Sequence, residues 1–138
     1  MNTNTPDTHE RYDAVVVGGG AAGLSAALIM GRSRLRTLVA DAGEPRNARA
    51  AHMHGVLSRD GMSPAAYRAA GRRELATYGV DVRDGQVTGA ARDGSDGFLV
   101  SLADATRVRA RRLVVTTGLV DELLLADLEA AAARRPAG

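Results

Sequence analysis

The chain has 138 residues, enough for one domain with a buried core, and 45% of its residues are hydrophobic. Its net charge is +2, its 18 basic residues are scattered arginines, and aromatic residues make up only 3%. This composition argues against a nucleic-acid partner, which needs clustered basic groups and stacking side chains. Because the sequence contains no cysteine, disulfides and thiolate metal sites are excluded from these residues.

The first eleven residues are polar and lack the basic segment of a secretory signal, so we expect them to form a disordered leader. The longest apolar stretch covers residues 21–30, which is too short to span a bilayer. We therefore expect a cytoplasmic protein without a membrane partner.

A β-α-β unit is predicted next. Apart from Asp13, residues 12–17 form an apolar run, which is typical of a strand buried on both faces of a parallel sheet. Glycines follow it, then a helix over residues 21–32 and a second strand over residues 37–40, which Asp41 ends. Residues 43–61 have no periodicity and predict a long loop, of a kind that is usually functional or disordered.

Ser63 and Pro64 predict the N-cap and first residue of a second helix, which runs to about Tyr78 and is followed by Gly79. Alternating and apolar patterns then predict extended segments at residues 80–82 and 86–90, a hairpin of residues 98–102 and 106–110, and a buried strand at residues 113–115. These elements predict an α/β, Rossmann-like fold: a parallel sheet with helices and a small antiparallel β-meander.

The glycine-rich turn between the first strand and helix has the G-x-G-x-x-G spacing of a dinucleotide site. Gly18 would allow the tight turn, Gly20 would let a pyrophosphate approach the backbone, and Gly23 would let the helix pack closely. The helix N-terminus would offer its N–H groups to the phosphates. The alternative is a crossover that binds no phosphate, but strand, glycines, helix and acid in register favour a nucleotide site.

Asp41 stands at about the spacing expected for a carboxylate that binds the hydroxyl groups of an adenosine ribose. Such a carboxylate disfavours a ribose 2′-phosphate, so the site suits FAD or NAD rather than NADP. Spacing alone does not choose between FAD and NAD.

Four segments are typical of one family: YDAVVVGGGAAGLSAA from Tyr12, DAGEPRN from Asp41, AHMHGVLSRDG from Ala51 and LVVTTGLVDE from Leu113. Through them the chain resembles the N-terminal half of the thioredoxin-reductase-like flavoproteins, which are FAD-dependent pyridine nucleotide–disulfide oxidoreductases. The resemblance covers residues 12–122, which we take as one FAD-binding domain.

The resemblance implies FAD as the cofactor, with NADPH or NADH used only by a complete relative. It implies these cofactor-binding residues: Gly18, Gly19, Gly20, Ala21, Ala22, Gly23, Asp41, Ala42, Arg46, Asn47, His54, Val87, Thr117 and Gly118. In that set Arg46 and Asn47 would lie along the cofactor, His54 near the flavin, and Val87 beside the adenine. The pair Thr117-Gly118 would mark the place where the chain turns back past the cofactor.

The sequence departs from the family in three ways. Thr116 replaces an alanine, which is a small change. After Glu122 the family continues with proline and an NADPH-binding domain that often carries Cys-x-x-Cys, whereas residues 123–138 are rich in Ala, Leu and Arg. A later flavin-binding stretch of the family is also missing. We therefore expect a fold that is incomplete relative to the family and a tail that is atypical or out of frame. We also expect a truncated product, in which the sequence identifies no catalytic residue.

The alternative is a stand-alone nucleotide-binding or assembly module, which would pair with a second chain carrying the NADPH domain or with a copy of itself. Two smaller patterns receive ordinary interpretations. His52 and His54 lack a neighbouring carboxylate or thiol, so they are loop residues rather than metal ligands. Arg107, Arg109 and Arg111 alternate along one strand and indicate a solvated face.

Overall fold

A computed structural model describes residues 9–43, 50–94 and 96–119, in which one sheet of six strands packs with two helices. In chain order the elements are β1 (Glu10–Val17), α1 (Ala21–Arg32), β2 (Thr37–Asp41), α2 (Pro64–Thr77), β3 (Asp81–Asp84), β4 (Val87–Arg92), β5 (Phe98–Leu102) and β6 (Arg107–Val115). The α/β, Rossmann-like prediction is confirmed, and the strand β1 begins inside the predicted leader, at Glu10.

The strands lie in the order β3-β2-β1-β6-β5-β4. Strands β3, β2, β1 and β6 are parallel, whereas β5 runs antiparallel to both β6 and β4. The strand β1 lies between β2 and β6. After β1 the chain forms β2 on one side of it, and later forms β6 on the other side. The carboxyl ends of the parallel strands meet at that point, which is where open α/β sheets bind their ligands.

The strand β6 is longer than predicted. The sequence pattern gave a hairpin strand at residues 106–110 and a separate strand at residues 113–115, but both belong to one strand of nine residues. The arginines at positions 111 and 112 interrupt the apolar pattern without interrupting the backbone pairing. The first part of β6 pairs with β5, and the strand also pairs with β1 from Val108 to Val115.

The two helices begin and end close to their predicted positions. The N–H of Ala66 donates to the Ser63 side-chain oxygen at 3.2 Å, which confirms Ser63 as the N-cap of α2. Gly79 follows the helix with a φ of +68°, the left-handed conformation expected after a helix end.

Alternation along the central strands produces two apolar clusters. Val16 and Val39 point to the face that α1 and α2 cover, where they pack with Leu24 and Leu75. On the other face, a second cluster joins side chains of β1 and β2 to those of β5 and β6, with the buried members Tyr12, Val15, Leu38, Ala40, Val100, Leu102, Val108 and Ala110. The central strands are therefore buried on both faces, as their continuous apolar sequences predict.

Candidate functional site

The glycine turn begins where β1 ends. Gly18 has a φ of +113°, a conformation that side chains rarely adopt, and its N–H donates to the Ala40 carbonyl at 2.8 Å. A Cβ atom at this position would overlap the Thr116 carbonyl oxygen. The backbone of the turn is therefore fixed against both neighbouring strands, and position 18 requires glycine.

Gly23 and Gly20 play different parts in the turn. A Cβ at Gly23 would overlap the Gly18 carbonyl oxygen, so glycine is needed there for the helix to pack against the turn. At Gly20, by contrast, a Cβ would meet no atom of the described residues within 4 Å. The turn is therefore packed against protein atoms at Gly23, whereas the space beside Gly20 is open in the part of the chain that the structure describes.

Among the described residues, no side-chain cap and no acidic group of its own first turn compete for the start of α1. Gly20 is its N-cap residue, with no side-chain cap, and its first turn contains no acidic residue. The first N–H groups of a helix have no partner within the helix, and Ala21 and Ala22 here are exposed. This arrangement, together with the open position at Gly20, fits a bound pyrophosphate.

Thr116 lies beneath the glycine turn, a role that the sequence did not predict. Its backbone N–H donates to the Val17 carbonyl at 2.9 Å, and its hydroxyl lies 3.0 Å from that oxygen and 3.1 Å from the Gly18 carbonyl oxygen. Thr116 is therefore more than a small change from alanine, because its hydroxyl contacts the glycine turn. Gly118 follows it with a φ of +73°, and the intervening Thr117 is exposed.

Asp41, at the end of β2, is only 5% exposed. Its Oδ1 accepts a hydrogen bond from the Gly43 N–H at 2.9 Å. Its carboxylate also lies where a Cβ of Gly19 would be, so a side chain at position 19 would overlap it. Gly19 was predicted as a cofactor-binding residue, and the structure gives a separate reason for glycine there.

Two arginines of α2 hold the other oxygen of this carboxylate. Arg68 and Arg72 both donate to Asp41 Oδ2, the latter at 2.6 Å. Arg72 also donates to Oδ1 of Asp84, at the end of β3, at 2.8 Å. Neither Arg68 nor Arg72 was predicted from the sequence as a residue of the site. Their spacing of four residues, which puts them on one face of the predicted helix, was the available signal.

The hydrogen bonds around Asp41 keep it ionised. Burial by itself raises the pKa of this carboxyl, but the bonds from Gly43, Arg72 and Arg68 outweigh burial and hold the pKa below its ordinary value. The pKa of Arg72 is raised, chiefly by its hydrogen bond to Asp84. At neutral pH the site therefore contains two carboxylates and two guanidinium groups, whose charges balance.

Val87 lies near this end of the site. The Gly85 N–H donates to the Asp41 carbonyl at 2.8 Å, and β4 begins two residues later at Val87. Ala42, next to Asp41, is exposed. The structure thus brings the glycine turn, Asp41, Ala42 and Gly85 together at the carboxyl ends of the parallel strands, whereas Val87, two residues further on, pairs with Leu102 of β5.

His54 belongs to a separate loop. Its Nδ1 lies 3.5 Å from Oδ1 of Asp60, and the same oxygen accepts the Gly55 N–H at 2.8 Å. These contacts stay within the loop, so the predicted position near a flavin remains a prediction. Arg46 and Asn47 lie outside the described residues, as does the whole predicted tail, residues 123–138.

Within residues 9–43, 50–94 and 96–119, no three His, Cys, Asp or Glu side chains are grouped so that they could hold a metal ion. In the same part of the chain, neither helix is long and apolar enough to cross a membrane.

Comparison with known proteins connects this geometry to flavin binding. Residues 13–76 match a family model described as an FAD binding domain. The thioredoxin reductase tcpT of Claviceps purpurea is 34% identical over 120 residues, which are 85% of this chain and 37% of that protein.

Two solved structures show the same similarity. The structure of HlmI has a TM-score of 0.78 and 47% sequence identity, and the match covers 82% of this chain and 36% of HlmI. A thioredoxin reductase from Gloeobacter violaceus has a TM-score of 0.74 and 26% identity, with 83% of this chain and 37% of that chain covered. The chain thus spans about a third of the length of the curated relatives it matches.

Proposed function

Because this chain carries the FAD-binding portion of thioredoxin-reductase-like proteins, we propose that it binds FAD with the pyrophosphate at the glycine turn and the adenosine ribose at Asp41. The observation that carries the proposal is the contrast among the glycines. Gly18, Gly19 and Gly23 are each packed against protein atoms, whereas the space beside Gly20 is open to a ligand. The uncapped N-terminus of α1 supplies N–H groups to the same space.

In this proposal the chain binds and orients the cofactor. FAD, when bound, supplies the chemistry of hydride and electron transfer. Asp41 accepts from a ribose hydroxyl, and the backbone near Val87 contacts the adenine. Arg46 and Asn47, His54, and Thr117 with Gly118 complete the set toward the flavin.

The substitution Gly20→Ala tests the proposal, because the added methyl group meets no atom in the part of the chain that the structure describes but enters the space assigned to the pyrophosphate. FAD affinity is measured by isothermal titration, and folding by thermal unfolding. We expect the wild-type chain to bind FAD and Gly20→Ala to bind it about tenfold or more weakly, with an unchanged Tm.

The matched control is Gly89→Ala in β4, where a Cβ also meets no atom among residues 9–43, 50–94 and 96–119. It should bind FAD as the wild type does. A wild-type chain without affinity for FAD, or a Gly20→Ala variant that binds as tightly as the wild type, would contradict the proposal.

We further propose that the chain is part of an NAD(P)H-dependent flavin oxidoreductase whose reductant-binding domain lies outside the described residues. Two facts support this: the match covers about a third of the relatives, and these 138 residues contain no cysteine for a redox disulfide. We expect the flavin absorbance of the FAD-loaded chain to persist under anaerobic NADPH and to disappear with dithionite. Rapid reduction by NADPH alone would refute this part.

The limited coverage also favours a second candidate, a nucleotide-binding module that pairs with a separate chain carrying the NADPH domain. Affinity purification of the chain from its own cells distinguishes the two. Recovery of a flavoprotein-type NADPH domain on a second polypeptide supports the module, and purification without such a polypeptide speaks against it.

A further inference from the structure

The carboxylate of Asp41 has little acceptor capacity left for a ligand. Each carboxylate oxygen can accept about two hydrogen bonds. Oδ2 accepts from both Arg68 and Arg72, whereas Oδ1 accepts only from the Gly43 N–H in the described part of the chain. One acceptor position on Oδ1 therefore remains for a ribose hydroxyl.

The same two arginines connect Asp41 to the rest of the site. Arg68 donates through Nε to the Gly19 carbonyl at 3.4 Å, so it joins the acid to the glycine turn. Arg72 joins the acid to Asp84 at the end of β3. The helix α2 thereby holds three carboxyl-terminal strand regions in one arrangement.

The bonds to the Asp41 carboxylate fix both of its oxygens, since Gly43 donates to Oδ1 and the two arginines donate to Oδ2. Gly19, against which the carboxylate lies, has no side chain to confine it. A side chain held in its binding rotamer loses less conformational entropy when the ligand arrives. A carboxylate that has lost an arginine would sample other rotamers, and some of these would turn Oδ1 away from the ligand.

We propose that Arg68 and Arg72 are positioning residues of the adenosine-ribose site, which act by holding Asp41 so that Oδ1 faces a ribose hydroxyl. This inference rests on the proposed binding of FAD. It assigns a ligand-binding role to a face of α2, a helix that would otherwise serve only to cover the sheet.

The test is a double-mutant cycle on the full chain, with FAD affinity measured by isothermal titration. Arg72→Gln should weaken FAD binding about tenfold in the wild-type background, since a hydrogen bond to a charged group is lost. In an Asp41→Asn background, the same substitution should change the affinity less than twofold, because the group it positions is already altered. Arg72→Lys should restore most of the affinity.

Arg73→Gln is the matched control, because it makes the same charge change on the exposed side of the same helix. It should bind FAD within twofold of the wild type. Arg68→Gln provides an independent variant with the same expected loss and dependence on Asp41, should Arg72→Gln unfold.

Two results would overturn the inference: Arg68→Gln and Arg72→Gln binding as tightly as Arg73→Gln, or equal losses with and without Asp41. Equal losses would show that the arginines only support the fold of α2. A wild-type chain that fails to bind FAD would instead refute the proposed function, so the two failures are distinguishable.

Discussion

At Thr116, one hydroxyl group connects the end of β6 to the glycine turn. Thr116→Val keeps the side-chain shape but removes this donor, and the turn carbonyls lose a partner. We expect the free energy of unfolding to fall by about 1 kcal/mol. Urea denaturation measures the change, and Thr116→Ser, which keeps the hydroxyl, is the control. Equal stability of the valine and serine variants would show that the hydroxyl contributes nothing.

Asp41 makes stability depend on pH in a definite direction. Its pKa in the folded chain lies below the ordinary value of 3.8, so folding favours the ionised form. Its contribution is therefore complete well above that value and is lost as the pH falls through the lower folded pKa.

The variant Asp41→Asn should be less stable than the wild type by about 2 kcal/mol at neutral pH, since charged hydrogen bonds are lost. Urea denaturation at several pH values should show this difference shrinking as the pH falls below about 4. Asp96→Asn, in an exposed turn, is the control. A difference that stays constant with pH would contradict the assignment.

At this scale, the sequence predicted the residues whose signal is a local spacing. The glycine pattern and the acid after β2 were found in this way, and the structure places them at one edge of the sheet. Arg68, Arg72 and Thr116 were missed because their partners are distant in the chain. Arg72 contacts Asp41 and Asp84 from another element, and Thr116 contacts a turn that precedes it by almost a hundred residues.

Among the elements, the short strand β3 depends on a polar cluster at its border. The Tyr12 hydroxyl of β1 lies 2.7 Å from Oδ2 of Asp81 and 2.8 Å from Oε2 of Glu10, and it accepts from Arg83 at 2.9 Å. Burial and the two carboxylates raise the pKa of Tyr12, which therefore keeps its proton at all ordinary pH values. This hydroxyl joins β1 to β3 across β2.

Tyr12→Phe should therefore loosen β3 more than the other strands. We expect a loss of about 1 kcal/mol in the free energy of unfolding and faster amide hydrogen exchange in residues 81–84. Tyr67→Phe is the control, since no hydrogen bond of the Tyr67 hydroxyl is seen within the described ranges. Unchanged exchange in β3 would show that backbone pairing alone holds the strand.

The helices were predictable because their signals are local. Ser63, Pro64 and Gly79 stand within a few residues of the helix ends that they determine. The strand β6 was divided in two because its continuity comes from β1 and β5, which pair with it on either side. The sequence pattern shows only the apolar residues of β6. The strand continues through the arginines between them because the backbone there pairs with β1.

For the molecule as a whole, the described contacts of the site lie at the positions that our proposal assigns to the adenosine and the pyrophosphate. The glycine turn, Asp41 and Gly85 lie at the carboxyl ends of the parallel strands, whereas the polar contact that the structure describes for the His54 side chain is with Asp60 of its own loop. We therefore expect ADP to raise the Tm more than FMN does at the same concentration, because at equal concentration the ligand that binds the folded state more tightly stabilises it more.

Thermal unfolding with FAD, ADP, FMN and riboflavin measures this order. FAD should give the largest shift and riboflavin the smallest. Gly20→Ala should lose the shift with ADP, which would connect the effect to the pyrophosphate position. A larger shift with FMN than with ADP would locate the main binding energy at the flavin instead.

The pairing of β6 with β1 also governs the order in which the chain can fold during synthesis. β1 can pair with β2 soon after both leave the ribosome, but Glu10 must wait for Val108 on its other side. Such long sequence separation slows folding. Until then the apolar edge of β1 is an unprotected template for another strand. Until β6 has been synthesised, the nascent chain is therefore exposed to pairing with strands of other chains.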